Sequence, residues 1–434
     1  MTRRKKKVVI LGAGLAGLSC AYFLKKKGIR VPVFEKDNEY GGLCRSFKKD
    51  GFRFDFCGHL LHFRTPQVFS LVKGLLGEGL IKHKRKAWVY ALNRFIPYPF
   101  QTHFSHLPED VAKECLYGFL AADGNGNRRK NGNFQNWIEA KFGAGIVRHF
   151  MVPYNAKFWK VPLRDLSSEW AERFIVSPSG EDVINGFLDN GNGLGYHAHF
   201  WYPRGGIGEL TKGFAAGLDD IHLGCEAESV DLKKRKIRFT NGRRQDFDVL
   251  ISTLPLPELA KLLRPVPKNI GRWFEKLRWI SIYNINLGIE GRLQPGKHWI
   301  YFPERRFKFF RVGFYSNFSS QAAPSGKSAL YIEVSYSKDN PIDKKRLLSR
   351  IVNDLRMANV LAGPGAIKTT LVNDIKYAYP LYDHSWSRAR SKILDSLMSD
   401  NVFSVGRHGS WRYVSMEDVI LGSKKAAQAA FAKL

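Results

Sequence analysis

The residues best suited to chemistry stand near the start of the chain. Gly12, Gly14 and Gly17, with Leu15 and Ala16 between them, follow the apolar run 7–11 (KVVIL) and open an apolar helical pattern through Ala21, Tyr22 and Leu24. Gly28 ends that pattern, 29–34 reads as a second strand, and Glu35 and Lys36 close the unit. The first glycine permits a tight turn, the second lets backbone approach a pyrophosphate, and the third lets helix and strand pack closely. Unpaired amides at the helix N-terminus attract the phosphates. Glu35 suits the hydroxyls of an adenosine ribose. Strand, glycine turn, helix, strand and acid in this order predict a dinucleotide-binding unit. No second fingerprint of this kind occurs, so no dedicated NAD(P)H domain is expected.

Further glycine segments narrow the cofactor. Gly41, Gly42, Leu43 and Arg45 follow Glu35, YPRGGIGEL spans 202–210 and FDVLISTLP spans 247–255. These resemble segments of the large FAD superfamily that includes amine oxidases, protoporphyrinogen oxidase, phytoene desaturases and UDP-galactopyranose mutases. The resemblance implies FAD as cofactor. The fold expected is α/β, with a discontinuous Rossmann-like FAD-binding domain built from 1–65, 200–255 and 395–434. A mainly helical substrate or lid insertion is expected at 66–199, and an antiparallel β-sheet substrate domain at 256–394. The runs 281–289, 297–302, 309–315 and 329–336 read as its strands, 69–80 and 110–120 as helices of the insertion, and 401–407 as a strand before a helix from about 418 to 433.

Six more segments occur in order: GHLLHF (58–63), IPYPFQ (96–101), FQNWIEAKFGAGIVRHFMVPYNAKFWKVP (134–162), YFPERRFKFFRVGFYSNFS (301–319), YAYPLYD (377–383) and GRHGSWRY (406–413). Together they are similar to the UDP-galactopyranose mutase family, closest to its eukaryotic-type members. The resemblance implies interconversion of the pyranose and furanose forms of a UDP-sugar, by default UDP-galactose, through a covalent adduct between the sugar and N5 of the reduced flavin. NAD(P)H or another external donor would reduce the flavin. Arg311 would clamp the diphosphate, because a planar guanidinium grips phosphate oxygens in pairs. Tyr301, Tyr379, Arg412 and Tyr413 would assist it. Tyr98, Phe100 and Gln101 would form the base site, Trp137 would lie near the ribose, and Asn155 and Trp159 would line the active site. Gly58 and His59 would border flavin N5, Arg407 would face the FAD pyrophosphate, and Met416 and Glu417 would lie near the ribityl chain, with Glu417 and Asp418 capping the last helix. Three departures concern the sugar end: Val152 stands where those members carry an arginine, SPS (177–179) stands near an expected asparagine, and 413–422 is short. The alternative is an FAD-dependent oxidase or desaturase of the amine oxidase or protoporphyrinogen oxidase type.

The charge balance sets the partners expected. Among 434 residues, Lys and Arg number 69 and Asp and Glu 39, a net charge of +30. Basic clusters at 1–7, 82–86, 128–130, 233–236, 305–308 and 344–346 are spread along the chain. Such a surface attracts anions, whether a phosphorylated small molecule or anionic membrane and glycan machinery. No zinc-finger, RNP or basic-zipper pattern occurs, so nucleic acid is not expected as a partner. The five cysteines form no CxxC and no metal-ligand spacing, which argues against a disulfide scaffold or metal site. The apolar run 8–24 is explained by its glycines, so no targeting or membrane-spanning segment is expected, and the location expected is cytoplasmic or at the inner face of the membrane.

Overall fold

A computed structural model describes residues 6–124, 132–188 and 198–434. The basic runs at 1–5 and 128–130 and the glycine-rich loop 189–195 lie outside the described residues, as does most of the loop expected at 121–133.

A five-stranded parallel sheet brings together distant parts of the sequence. Its order is Val402–Ser404, Val249–Ser252, Val8–Leu11, Val33–Phe34, Ile221–His222. Val8–Leu11 is buried at all four positions, as an apolar strand covered on both faces must be. The second strand, expected across 29–34, shrinks to Val33–Phe34. Pro32 precedes it and has no N–H to donate to a ladder. The helix Leu15–Lys25 packs on this sheet beside the last helix, Met416–Phe431.

A seven-stranded sheet forms the second layer. Its order is Ile367–Pro380, Trp279–Glu290, Lys327–Tyr336, Arg311–Phe314, Trp299–Tyr301, Ala87–Ala91, Arg94–Pro97. The last two strands come from the stretch expected to be mainly helical. That stretch does hold the helices Pro66–Leu76, Glu109–Gly124, Phe134–Ile146 and Val152–Trp159. Pro66 starts the first of them at a position where a missing N–H costs nothing, and Gly77, at φ +55°, stops it before the expected end. A π-helical turn, Val147–Met151, feeds directly into Val152–Trp159. The helix Lys344–Met357 covers one face of the large sheet through Leu347, Ile351 and Leu355. Among the described residues, no helix is long and apolar enough to cross a membrane.

Candidate functional site

The glycine turn between Val8–Leu11 and Leu15–Lys25 is a cradle that side chains would fill. Gly12 has φ +94°, a region that favours glycine. A Cβ on Gly17 would overlap the Gly12 carbonyl oxygen, and one on Gly42 (φ +56°) would lie 3.1 Å from the Gly14 Cα. Gly14 is the N-cap of the helix and offers no side-chain cap, so the amides of the first turn are left to a ligand. Glu35 is buried at the end of its strand. Its carboxylate accepts the Ala13 N–H at 2.8 Å and the Asp37 N–H at 3.1 Å, which fixes it beside the turn. Arg45 spans the Gly42 carbonyl at 3.0 Å and Asp37 at 2.9 Å, while Lys36 pairs with Asp37 at 2.8 Å. Leu43 and Met416 are half-buried against the cores on either side. A bare glycine cradle, open helix amides and a fixed buried carboxylate fit the pyrophosphate and ribose of a dinucleotide.

Glu417 does something other than what was expected of it. Ser415 and Asp418 form the cap of the last helix. Glu417, fully buried, instead accepts the Arg64 N–H at 3.0 Å and the Thr65 N–H at 2.7 Å. Buried amides of that loop need an acceptor, and the first turn of the helix supplies a charged one.

Next to the cradle, the loop 56–59 hangs from Asp55. This fully buried carboxylate accepts the Ser46 hydroxyl and the Tyr202 hydroxyl, each at 2.6 Å. Burial pushes its pKa up to about 6 despite those bonds. A Cβ on Gly58 would overlap the Tyr331 hydroxyl, so this backbone must stay bare. Gly58→Ala is expected to cost about 1–3 kcal/mol of stability by overpacking. Thermal unfolding of the variant checks this, and an unchanged midpoint would refute the contact.

His59 lies within hydrogen-bond range of the Cys57 carbonyl through Nδ1, at 3.3 Å. Burial, with the charges of Arg407 and Arg311 adding to it, lowers its pKa to about 4, so the ring is neutral at pH 7. Burial likewise lowers His62 to about 4 and His298 and His408 to about 3. The unfolded chain therefore binds more protons between the ordinary histidine pKa near 6.5 and these values. This stability is full above pH 6.5 and is lost as pH falls through the window. Asp55 and Asp354, both raised by burial, act in the opposite sense, but they are two groups against five lowered histidines, His83 included. The melting temperature is expected to drop on going from pH 7 to 4.5, and a flat or rising profile would contradict the burial of these rings.

The cationic centre comes from strand register. Arg311 opens its strand and stands opposite Glu333 on one side and Tyr301 on the other. Glu333, 1% exposed, takes the guanidinium with both oxygens: Nη2 lies 2.9 Å from Oε1, and Nε bonds Oε2. Burial opposes the charge on Arg311, but Glu333 outweighs it and holds the pKa well above the usual arginine value. Arg407 lies over the adjoining rings of Tyr379 (4.6 Å) and Tyr413 (4.7 Å) and donates to the Ala378 carbonyl at 3.0 Å. Tyr301 touches Tyr98 at 5.2 Å and Tyr154 at 5.4 Å between ring centres. Tyr98 in turn lies under Arg85 at 4.8 Å. The structure thus gathers His59, Tyr98, Tyr301, Arg311, Tyr379, Arg407 and Tyr413 in one region.

Other expected residues have different surroundings. Phe100 is fully buried and stacks on Phe150 at 5.0 Å. Gln101 donates to the Val176 carbonyl at 2.9 Å, and its buried Oε1 has no hydrogen-bond partner among the described residues. Asn155 is buried and bonds back to the Met151 carbonyl at 2.8 Å. Trp159 is buried against Phe158 and Trp170, and Trp137 is half-buried against Phe134 and Phe142. Arg412 is exposed. Val152 borders a cavity of about 360 Å³ with Arg148, His149 and Glu304, so this position adds no cation to the arginine centre. Ser179 of the SPS segment caps the helix Gly180–Phe187. Sequence reasoning missed Glu333, Tyr154 and Tyr331. A single acid inside the apolar run ALYIEVSY (329–336) was the available signal for Glu333.

Comparison with known proteins agrees with the cradle. The chain is 29% identical to a solved reduced UDP-galactopyranose mutase over 99% of its own length and 96% of that chain, with a TM-score of 0.93. It is 24% identical over 395 residues to the zeta-carotene-forming phytoene desaturase of Myxococcus xanthus, covering 77% of this chain and 73% of that one. It is 25% identical over 341 residues to the 4,4'-diapolycopene oxygenase of a Methylomonas species, covering 67% of this chain and 64% of the length of that relative. Residues 15–430 match the model of one family, described as flavin containing amine oxidoreductase. The match takes in nearly the whole chain, and the glycine cradle with Glu35 fits the cofactor: the chain belongs to the flavin containing amine oxidoreductase family and is an enzyme that uses FAD.

Proposed function

We propose that this flavoenzyme is a sugar-nucleotide mutase that interconverts the pyranose and furanose forms of a UDP-sugar, with UDP-galactose the default. One observation carries the reading. Beside the bare Gly58 backbone stand two guanidiniums, Arg311 and Arg407, among the phenols of Tyr301, Tyr379 and Tyr413. A diphosphate needs cations and hydroxyl donors of this kind. A carotenoid or other hydrocarbon substrate would leave the phenols, and the guanidinium N–H groups not bonded to Glu333 or Ala378, facing hydrocarbon, at a cost in desolvation. The 29% identity to the reduced mutase over 99% of the chain supports the same reading.

Gly12, Gly14, Gly17, Glu35, Gly42 and Arg45 would hold FAD. Bound and reduced, the flavin would supply the nucleophile that displaces the diphosphate from the anomeric carbon. The remaining tasks fall to the chain itself. Arg311 and the tyrosines neutralise the departing diphosphate and keep it near the sugar, so that it can return. Glu333 holds the Arg311 fork in one orientation before substrate arrives. His59, neutral, adds no charge that would draw the diphosphate away from Arg311. The reductant would be NAD(P)H or another external donor.

The test is to incubate dithionite-reduced, FAD-loaded protein with UDP-galactopyranose and to look for an isomer of unchanged mass. The oxidised protein should give none. No isomer from any UDP-hexose, together with flavin reduction by a carotenoid precursor, would replace this reading with the desaturase one.

A further inference from the structure

The helix Lys344–Met357 has two unlike faces. Leu347, Ile351 and Leu355 are buried with Ile285, Leu287 and Val334 of the large sheet. Arg346, Arg350, Asn353 and Met357 recur at helical spacing on the opposite side, flanked by Lys345 and Arg356, and all six are exposed. No acidic residue lies on this outer face. Asp354 is turned inward, 7% exposed, and accepts the Lys308 N–H at 2.7 Å. Asp343 sits at the N-cap, accepts backbone amides there, and comes no closer to the Arg346 guanidinium than 3.9 Å. Lys345, Arg350 and Arg356 have no side-chain hydrogen bond or ion pair among the described residues. Among these cations one apolar side chain stands in the open, Met357 at 54% exposure. The exposed Lys308 lies beside the same helix.

An ordinary solvent-facing helix mixes acids with its bases at i,i+4 spacing. This face carries cations and the apolar Met357 beside the neutral Ser349 and Asn353, and no acid, in a chain of net charge +30. An anionic bilayer complements both: headgroups attract the Lys and Arg side chains, and the interfacial layer accepts the Met357 side chain. Binding of single-stranded nucleic acid would instead call for aromatic rings to stack on bases, and the outer face has none. We propose that the outer face of the helix Lys344–Met357 docks the protein peripherally on an anionic phospholipid surface. This goes beyond the mutase reading and stands whether or not that reading holds.

Co-sedimentation of the FAD-loaded full chain with vesicles tests it, using phosphatidylcholine alone and an equimolar mixture with phosphatidylglycerol at physiological salt. Binding is expected only to the anionic vesicles. The double variant Arg346→Glu/Arg350→Glu should bind at least about tenfold more weakly, from the loss of two surface cations. The control Lys233→Glu/Lys234→Glu removes the same charge from an exposed turn on another sheet and should change binding less than about twofold. Met357→Ser should also weaken binding, and this loss should persist at raised salt. Retained flavin and an unchanged melting temperature show that each variant is folded. No binding to the anionic vesicles would overturn the proposal, and so would equal losses in the two charge-reversed variants. An Arg346/Arg350-dependent binding of polyuridylate in place of vesicles would overturn it in favour of nucleic acid.

Discussion

Arg311→Ala is expected to weaken UDP binding by about 100-fold or more while FAD stays bound. Hydrogen bonds to a charged group are each worth about 1.5–3 kcal/mol, and the Nη1 and Nη2 N–H groups that Glu333 leaves free can make two to one phosphate, so their joint loss reaches this size. A second effect acts in the same direction. Glu333 is 1% exposed and has Arg311 as its partner through both oxygens. In the variant this buried carboxylate must take a proton or face the incoming diphosphate as a like charge. Arg311→Lys separates the contributions: it keeps the charge but not the fork, and should recover only part of the affinity. Glu333→Ala leaves a buried guanidinium without its counter-ion and should cost about 3–5 kcal/mol of stability. FAD should be retained in the Arg311 variants, because the cradle lies on the parallel sheet and Arg311 on the large one. Calorimetric titration of UDP into flavin-loaded protein measures the effect. Unchanged affinity would remove Arg311 from the diphosphate site.

The two ends of the site were unequally legible in the sequence, for a physical reason. The cofactor end is built by backbone. Where the chain must come within contact distance of itself, only glycine serves, so Gly12, Gly17 and Gly42 wrote the cradle into the sequence. The parallel strands Val8–Leu11 and Val249–Ser252 were equally plain, since burial on both faces makes them apolar throughout. The proposed substrate end, the arginine centre, is built by register between strands far apart in sequence. Arg311 meets Glu333 because Arg311–Phe314 pairs antiparallel with Lys327–Tyr336, and no local pattern states that pairing. Ile367–Pro380, the longest strand of the large sheet, went unread for a related reason. It lies at the edge of the sheet with one side open, and Lys368, Thr369, Thr370, Asn373 and Asp374 leave its first half without a continuous apolar run. The aromatic matches divide in the same way. Tyr301, Tyr379 and Tyr413 surround the arginines, whereas Phe100 and Trp159 go to the core, and composition alone does not separate a ring that faces a ligand from one that packs.

Gly14→Val is expected to give a folded, colourless protein, and its contrast with Gly17→Val makes the result diagnostic. Gly14 has φ −74°, which any residue adopts, and a Cβ there would meet nothing closer than the Gly42 Cα at 3.8 Å. Valine therefore fits the polypeptide itself. Its methyl groups fill the gap between Gly14 and Gly42, where the backbone would otherwise approach a pyrophosphate. Gly17 differs, because any Cβ there overlaps the Gly12 carbonyl and forces the helix Leu15–Lys25 off Val8–Leu11. Gly17→Val should therefore fail as a fold, whereas Gly14→Val should fail only as a flavoprotein. The Gly14 variant should keep its circular dichroism and lose the flavin absorbance. Its free energy of unfolding should fall by no more than the lost linkage, about 2.7 kcal/mol if free FAD stands at about 100 times its Kd. Added FAD should shift the melting of stripped wild-type protein and leave that of the variant unchanged. A yellow Gly14→Val protein would mean that the pyrophosphate does not lie over this turn, and the assignment of the cradle would fall with it.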